Sequence, residues 1–288
     1  MFDWLAPLLP DFLRPDFMQR ALIAGLIVAA ICPLIGLFLV LRRLSLIGDG
    51  LGHIAFAGVA AGFILQIYPL VTALAFTLLG AAGIEWLRSR RRAYGDLILA
   101  LFFYTGIAAG VVLSGLSHSF NASLFGYLFG SVATIDASDV WFIAGLGVAV
   151  IALVALLYKE LFAITFDEST ARVSGIRVSI LNILLALTTA VTVSIGMRVV
   201  GLLMVAALMI IPVAGALQLG RGFRATLLWS VLFSVVALTI GLAVSYYADL
   251  APGGTIVLSA VGLFLLAMAW KAVSGQGSGV RDATRLRS

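Results

Sequence analysis

The chain has 288 residues, of which 62% are hydrophobic and 11% are charged, and its mean hydropathy is +1.17. These fractions exclude an ordinary soluble domain, and no polar stretch between the apolar runs is long enough to bury a core of its own. The net charge of +5 does not indicate a nucleic-acid partner, because the arginines form short clusters between apolar runs, as in cytoplasmic loops of membrane proteins. The composition therefore predicts an all-α, polytopic membrane protein with one domain.

Apolar runs follow one another along the chain and predict about nine membrane-spanning helices, since roughly 20 apolar residues cross a bilayer. An eight-span chain would result if the short segment around Tyr68 and Pro69 joined two runs into one broken helix. Flanking the transmembrane domain of residues 17–272, we expect an interfacial lead-in over residues 1–16 and a polar tail over residues 273–288. The predicted spans are residues 17–41, 51–67, 70–87, 97–116, 140–158, 178–195, 199–219, 225–247 and 255–270.

Basic residues are distributed unevenly between the two sets of alternating connections. One set holds 15 of the 18 lysines and arginines, and the other keeps Arg14, Arg20 and Arg198. The richer set comprises positions 42–43, 88–92, 159–177 and 221–224 and the tail from residue 271. Because basic residues accumulate in cytoplasmic connections, this asymmetry predicts an N-terminus outside the cell and a C-terminus in the cytoplasm.

Two ionisable side chains lie at the start of the second apolar run. Asp49 and His53 are four residues apart, which places them on one face of a helix. A charged carboxylate at the bilayer centre costs roughly 2.5–3.5 kcal/mol on insertion scales, so such a group usually faces a cavity and has a function. A carboxylate beside a neutral imidazole suits zinc or manganese. The pair predicts a metal path; the alternative is an interfacial helix end that Asp49 caps and against which His53 packs.

Residues 114–139 form a second polar region, too polar at its start for a span and too aromatic for a plain loop. We expect a surface loop followed by a half-inserted helix on the non-cytoplasmic side. His118 in the loop and Asp136 near the far end are weaker candidates for collecting a metal ion, since a histidine in a loop is more often only solvated.

Glycine pairs recur at a spacing of four residues. They are Gly58/Gly62, Gly106/Gly110 and Gly126/Gly130. Small residues at this spacing let the backbones of neighbouring helices approach, so the first two pairs predict close helix packing. The third pair lies in the half-inserted segment, where a broken helix at a gate is the alternative.

The longest internal polar connection, residues 159–179, is predicted to be cytoplasmic and to contain a short helix lying along the membrane. Asp167 can cap this helix, and Glu168 and Arg172 have the i,i+4 spacing of an ion pair. Gly175 is placed to end it. The helix is either a plain connector or a lever on which a soluble motor domain could push.

Four motifs in a fixed order resemble the permease subunits of zinc and manganese ABC importers, the ABC-3 metal permease family. They are LVLRRLSLIGDGLGHIAFAGVAAG, LFGYLFGSVATIDASDVW, FDESTARVSGI and MRVVGLLMVAALMIIPVAGALQL. The resemblance covers residues 17–270 and implies a type II ABC importer-like permease in a bacterial plasma membrane. Asp49 and His53 match the family's Asp-xxx-His pair in the metal path, and residues 168–175 match its coupling helix. Ser131 stands where many members carry an acid, so no third acidic ligand is implied there.

The resemblance also implies partners: a second copy of the chain in a homodimeric pore, a cytoplasmic ATP-binding subunit and an extracytoplasmic metal-binding protein. The sequence contains no GxxxxGK[ST] motif, so we expect ATP hydrolysis in a separate chain. This chain is expected to be a transport subunit rather than an enzyme. No permanently bound cofactor is expected. Zinc is the favoured cargo because two Asp–His pairs related by a two-fold axis give two oxygen and two nitrogen ligands. Manganese or iron is the alternative, with water supplying further oxygen ligands.

Two other functions use the same pair. An intramembrane metallohydrolase is disfavoured, since the sequence has no HExxH motif, no second histidine in a span and no further acid in the apolar core to act as a base. A proton-coupled secondary transporter stays open, because a carboxylate within the membrane can relay protons as readily as it can bind metal.

Overall fold

The computed structural model describes residues 10–90, 94–116, 122–220 and 222–274, and in these residues the secondary structure is helical. His118 lies outside the described residues, as do most of the lead-in and nearly all of the tail. The helices are α1 (Asp16–Leu41), α2 (Leu46–Leu65), α3 (Pro69–Arg90), α4 (Gly95–Leu116), α5 (Ala122–Phe129), α6 (Ala137–Leu156), α7 (Tyr158–Phe166), α8 (Glu168–Val173), α9 (Val178–Val200), α10 (Val205–Leu219), α11 (Phe223–Ala248) and α12 (Pro252–Val273).

Eight of these helices are long and apolar enough to cross a membrane, within the described part of the chain. The prediction of about nine spans, with eight as the alternative, is confirmed. The count of eight does not arise in the expected way, which was the joining of two apolar runs around Tyr68 and Pro69. Residues 66–68 separate α2 from α3, with Gln66 in the left-handed conformation at φ 55°, so these two helices are distinct. The predicted span of residues 199–219 corresponds to α10, which has 15 residues and is too short to be counted among the eight.

Contacts along α10 nevertheless place its two ends at opposite ends of the bundle. Before its first residue, Gly201 packs beside the start of α12, where Gly253 touches the same backbone. At its other end, Gly220 packs against Thr226 at the start of α11. Since α11 and α12 are antiparallel neighbours, α10 and the short turn before it run through the depth of the bundle. The start of α1 and the end of α12 therefore lie at opposite ends.

The two ends differ in charge. We call them the basic end, where α1 finishes, and the opposite end, where α1 begins. Among the described residues, the opposite end carries Arg14, Arg20 and Arg198. The basic end carries Arg42, Arg43, Arg88, Arg90, Lys159, Arg172, Arg177, Arg224 and Lys271. This separation follows the distribution predicted from the sequence.

Glycines set the closest helix contacts around α2. A Cβ added at Gly58 would lie 2.6 Å from the Ala73 Cα of α3, and one at Gly106 would lie 2.9 Å from the His53 carbonyl carbon. Gly62 and Gly110 continue these two contacts towards the opposite end. Because side chains at these positions would push the backbones apart, the predicted glycine packing is confirmed for both pairs.

Helix α5, which lies in the segment predicted to be half-inserted, ends against the turn between α9 and α10. The carbonyl oxygens of Tyr127 and Leu128 accept hydrogen bonds from the backbone N–H groups of Leu202 and Leu203, at 3.0 and 3.3 Å. Gly130 and Gly201 have φ values of +80° and +90° and touch each other's backbone. These bonds supply partners for backbone groups that the interruption leaves free, which is what an apolar environment requires of broken helices.

Candidate functional site

Asp49 and His53 lie in the first two turns of α2. At about 1.5 Å of rise per residue, they are roughly 5 Å and 10 Å along the axis from the first residue of the helix. Both side chains are half-buried. The pair is therefore on one face, as predicted, and it lies in the half of α2 that is nearer the basic end.

This face of α2 opens onto a groove of about 250 Å³ beside α4. The imidazole of His53 packs edge-on against the ring of Phe103, with centroids 4.4 Å apart. Beside this face of α2, Gly52 approaches the Leu202 carbonyl oxygen, which fixes the helix against the turn before α10. The groove is lined by Leu46, Asp49, Asp96, Leu99, Ala100, Phe103 and Tyr104.

Asp96 in the first turn of α4 shares this groove but was not among the predicted site residues. The sequence carries a signal for it, because Asp96 directly precedes an apolar run, as Asp49 does. What the sequence does not give is the packing of α2 on α4 that brings both carboxylates to one groove.

The donor set on this chain is small. Among the described residues, no group of three or more histidine, cysteine, aspartate or glutamate side chains is arranged to hold a metal ion. One carboxylate and one imidazole leave at least two positions of tetrahedral zinc to other donors, and more positions of manganese. Asp49 and His53 could therefore supply two ligands to a metal ion, and water or another chain would have to complete its coordination.

The weaker metal candidate, Asp136, lies at the opposite end of the bundle and caps α6. Its side chain accepts from the backbone of Asp139, and Asp139 in turn accepts from the Asp136 N–H at 3.0 Å, which is a capping box. Asp139 is 1% exposed and forms an ion pair of 2.8 Å with Arg198. These contacts give Asp136 a structural role at the start of α6, and it does not line the groove of Asp49.

The short helix α8 has the local structure that the sequence predicts. Asp167 accepts hydrogen bonds from the N–H groups of Ser169 and Thr170 at 2.9 and 3.0 Å, and these hydrogen bonds and those from the two hydroxyls hold the pKa of its carboxyl below the usual range. Glu168 and Arg172 form an ion pair of 2.9 Å. Gly175, at φ +84°, ends the helix.

Most of α8 is exposed. Of its six residues Ala171 is buried, whereas Val173 is 90% exposed. Val173 thus presents an apolar side chain to the surroundings of the basic end.

A charged cluster at the basic end connects α8 to the membrane helices. We use the term charged cluster for Arg42, Glu85, Arg88, Glu168 and Arg172. Arg42 pairs with Glu168 at 3.3 Å, and Glu85, which is 5% exposed, pairs with Arg88 at 2.9 Å. Burial lowers the pKa of Arg42, and the neighbouring Glu168 carboxylate opposes that change. The pair of Arg42 and Glu168 joins residues 126 apart, so sequence spacing could not indicate it.

The fold and the site together define a class: a multi-pass helical membrane protein with a polar pair on one inner helix and a short exposed helix at its basic end. The sequence matches the ABC 3 transport family over residues 14–271. The chain belongs to this family and is a membrane permease, not an enzyme.

Curated relatives cover nearly all of the chain. The Treponema pallidum "probable metal transport system membrane protein" is 38% identical over 89% of this chain and 96% of its own length. The high-affinity zinc uptake system membrane protein ZnuB of Haemophilus influenzae is 32% identical, over 88% and 97%. The manganese import system permease protein ScaB of Streptococcus parasanguinis is 33% identical, over 87% and 89%.

A solved structure has the same fold. A chain of the structure titled "PsaBC from Streptococcus pneumoniae in complex with Fab" superposes with a TM-score of 0.80 at 30% identity, covering 88% of this chain and 91% of that one. The all-helical architecture is thus shared over almost the full length.

Proposed function

We propose that this chain is the permease of an ATP-driven importer of a divalent metal, with zinc as the preferred ion, and that Asp49 and His53 bind the ion on its path. The observation that carries the proposal is the half-buried carboxylate–imidazole pair on one face of an inner helix, with the carboxylate lining a groove beside α4. An ionisable pair in a membrane helix is energetically costly, so it usually has a function. Carboxylate and imidazole groups are ligands for zinc and manganese.

A second copy of the chain completes the site in this proposal. Two ligands on one chain are too few for either metal, and the groove that Asp49 lines opens to the outside of the bundle. A two-fold axis beside α2 and α4 brings together two carboxylates and two imidazoles from identical residues. The homodimer thereby forms the pore, and each protomer contributes half of the ion's ligands.

Zinc is favoured over manganese on coordination number. Two Asp–His pairs supply the four ligands of tetrahedral zinc, whereas manganese needs further oxygen ligands from water. The relatives include both a zinc and a manganese permease, so family membership supports a divalent metal without selecting one. Manganese, or iron of similar coordination, is the second candidate cargo.

The remaining parts of the proposal concern energy and direction. The exposed helix α8, with Glu168, Arg172 and Val173 on its surface, docks on a cytoplasmic ATP-binding subunit, and an extracytoplasmic metal-binding protein delivers the ion. The basic end faces the cytoplasm of a bacterial cell, in keeping with the positive-inside rule. The ion therefore leaves the Asp49–His53 pair towards the nearer end of the bundle.

The experiment is metal uptake by liposomes containing the permease, its ATPase and its binding protein. Asp49→Asn and His53→Ala should each abolish uptake of zinc and manganese while assembly with the ATPase is retained. Asp96→Asn is the matched control, since it removes a charge from the same groove without touching the pair. Uptake at the unaltered rate in both pair variants would refute the assignment, and an equal loss in the control would mean that only the negative charge of the groove matters.

The same liposomes separate an ATP-driven importer from a proton-coupled transporter. We expect metal uptake by the complete assembly to require ATP on the side of the membrane that carries the ATPase. Uptake driven by a pH gradient without ATP or the ATPase would support the secondary transporter and would contradict the proposal.

A further inference from the structure

The connection between α1 and the metal helix α2 is short and tightly held. Arg43 adopts φ 58°, and the N–H of Leu44 donates to the Leu39 carbonyl at 2.8 Å, which is the Schellman pattern of a helix end. The N–H of Ile47 then donates to Leu44 at 3.0 Å and begins α2. Because few residues intervene between Arg42 and Asp49, a displacement of the connection also displaces the first turn of α2.

Arg42 fixes this connection to α8. Its side chain is 8% exposed, and its Nη2 donates to Glu168 Oε2 at 3.3 Å. Glu168 also accepts from Arg172 within α8 at 2.9 Å, so its carboxylate joins both elements. A buried charge that loses its partner destabilises the structure strongly, which makes this contact resist separation.

The surroundings of Arg42 offer it a second set of partners. Arg42 Nη1 and Asn182 Oδ1 are buried without a hydrogen-bond partner in the described structure. Both residues line one small cavity of about 10 Å³, and Glu85 lines it as well. A donor and an acceptor left unused in the same cavity allow the guanidinium to exchange partners when Glu168 moves away.

The charged cluster therefore has the parts of a two-position contact. In the structure Arg42 holds Glu168 of α8. Asn182 and Glu85, at the ends of α9 and α3, line the cavity that Arg42 also lines and would serve as its partners in a second position. A conformational signal needs an element with two discrete arrangements that both sites can bias, and these two sets of partners would give the guanidinium such arrangements.

We propose that Arg42 is the positioning residue that transmits displacement of α8 to the Asp49–His53 pair on α2. The inference rests on the proposed function, since it assumes that α8 receives force from an ATPase. It assigns to the connection between α1 and α2 a role that family membership does not give it. Arg42 does not touch the ion; it sets the position of the helix that does.

The test compares ATP hydrolysis, zinc uptake and zinc binding in the complete reconstituted importer carrying Arg42→Gln. We expect zinc uptake per ATP hydrolysed to fall at least about fivefold, the lower end of typical coupling between sites, while equilibrium zinc binding to the assembly is unchanged. Arg42→Lys retains the charge and should restore much of the ratio. Arg43→Asn is the matched control, because it removes a neighbouring charge and asparagine tolerates the left-handed conformation.

A double-mutant cycle with Glu168→Gln identifies the partner, and Glu168→Gln alone covers the case in which Arg42→Gln fails to assemble. Glu168→Gln alters the more exposed member of the pair and should lower the same ratio. In the combination, the two losses should not multiply, because either change already breaks the contact. Multiplying losses, or an unchanged ratio in Glu168→Gln, would overturn the inference.

Failure of the inference is distinct from failure of the proposed function. If the wild-type assembly couples zinc or manganese uptake to ATP and Arg42→Gln does so equally well, the inference alone is overturned. If the wild-type assembly moves neither metal with ATP, the proposed function fails and the inference fails with it.

Discussion

At the scale of single residues, the position of His53 depends on a glycine in the neighbouring helix, where a side chain would not fit. Gly106 of α4 lies against the His53 and Ile54 backbone, and this close approach also brings Phe103 to 4.4 Å from the imidazole, measured between ring centroids. The orientation of the candidate ligand is therefore set by the packing of α4 as much as by α2.

Gly106→Ala should reduce metal uptake and destabilise the permease. The added Cβ would lie 2.8 Å from the Ile54 nitrogen, and inserting a methyl group into a tight contact costs about 1–3 kcal/mol. Thermal unfolding of the purified permease and liposome uptake both report the change. Gly115→Ala, on the same helix, is the control, since an added Cβ at this position would meet no neighbouring atom within 4 Å. Equal behaviour of the two variants would show that the contact does not hold His53.

Residue-level prediction succeeds where the contact is local. The placement of Asp49 and His53 on one face follows from their spacing, whatever packs around α2. Asp96 comes to the groove that Asp49 lines through the packing of α4 on α2. Arg42 contacts Glu168 through the packing of elements that are distant in sequence. Neither contact has a periodic signature, so neither could be predicted.

At the scale of elements, α8 is determined by its own sequence. Asp167 caps it, and Gly175 ends it with φ +84° while an added Cβ there would meet no atom within 4 Å. The penalty for replacing this glycine is thus purely one of backbone conformation.

Gly175→Val should uncouple ATP hydrolysis from uptake. A β-branched residue in the left-handed conformation costs about 1–2 kcal/mol, which frays the end of α8 and tilts the surface presented to the ATPase. Both rates are measured in the reconstituted importer. Gly175→Asn should behave nearly as wild type, because asparagine adopts this conformation more readily. Wild-type rates in the valine variant would place the coupling contact elsewhere, with residues 88–92 as the next candidate.

The position of the break between α9 and α10 could not be predicted from the sequence, which places it at residues 196–198, whereas the structure places it at residues 201–204. Residues 199–219 form a continuous apolar run that favours one span. The chain turns at Gly201 because α5 offers carbonyl oxygens to Leu202 and Leu203, and α5 lies some 70 residues earlier. Boundaries of the other spans agree within a few residues, since apolar runs of full length need no tertiary partner to be recognised.

For the whole molecule, the count of crossings decides where the termini lie. With α10 running through the bundle, the start of α1 and the end of α12 are at opposite ends, and the basic end is expected in the cytoplasm. The native cysteine, Cys32, is fully buried and should give no labelling background.

Cysteines introduced by Asp11→Cys and Ser274→Cys should be labelled by an impermeant reagent from opposite sides of the membrane. The cysteine at position 274 should react from the cytoplasmic side, where the basic end is expected, and the one at position 11 from outside. Labelling in oriented vesicles before and after permeabilisation measures this. Reaction of both positions from one side would mean that α10 does not cross.

The junction of Gly130, Gly201 and Gly253 has a consequence for the synthesis of the chain. Gly253 belongs to the last long helix described, so the ribosome makes it after nearly all of its neighbours have entered the membrane. Until then, the carbonyl oxygens of Phe129 and Val200 lack the backbone that finally packs against them. Chains arrested before residue 252 should thus expose an unfinished junction, and quality-control proteases should degrade them faster than completed chains.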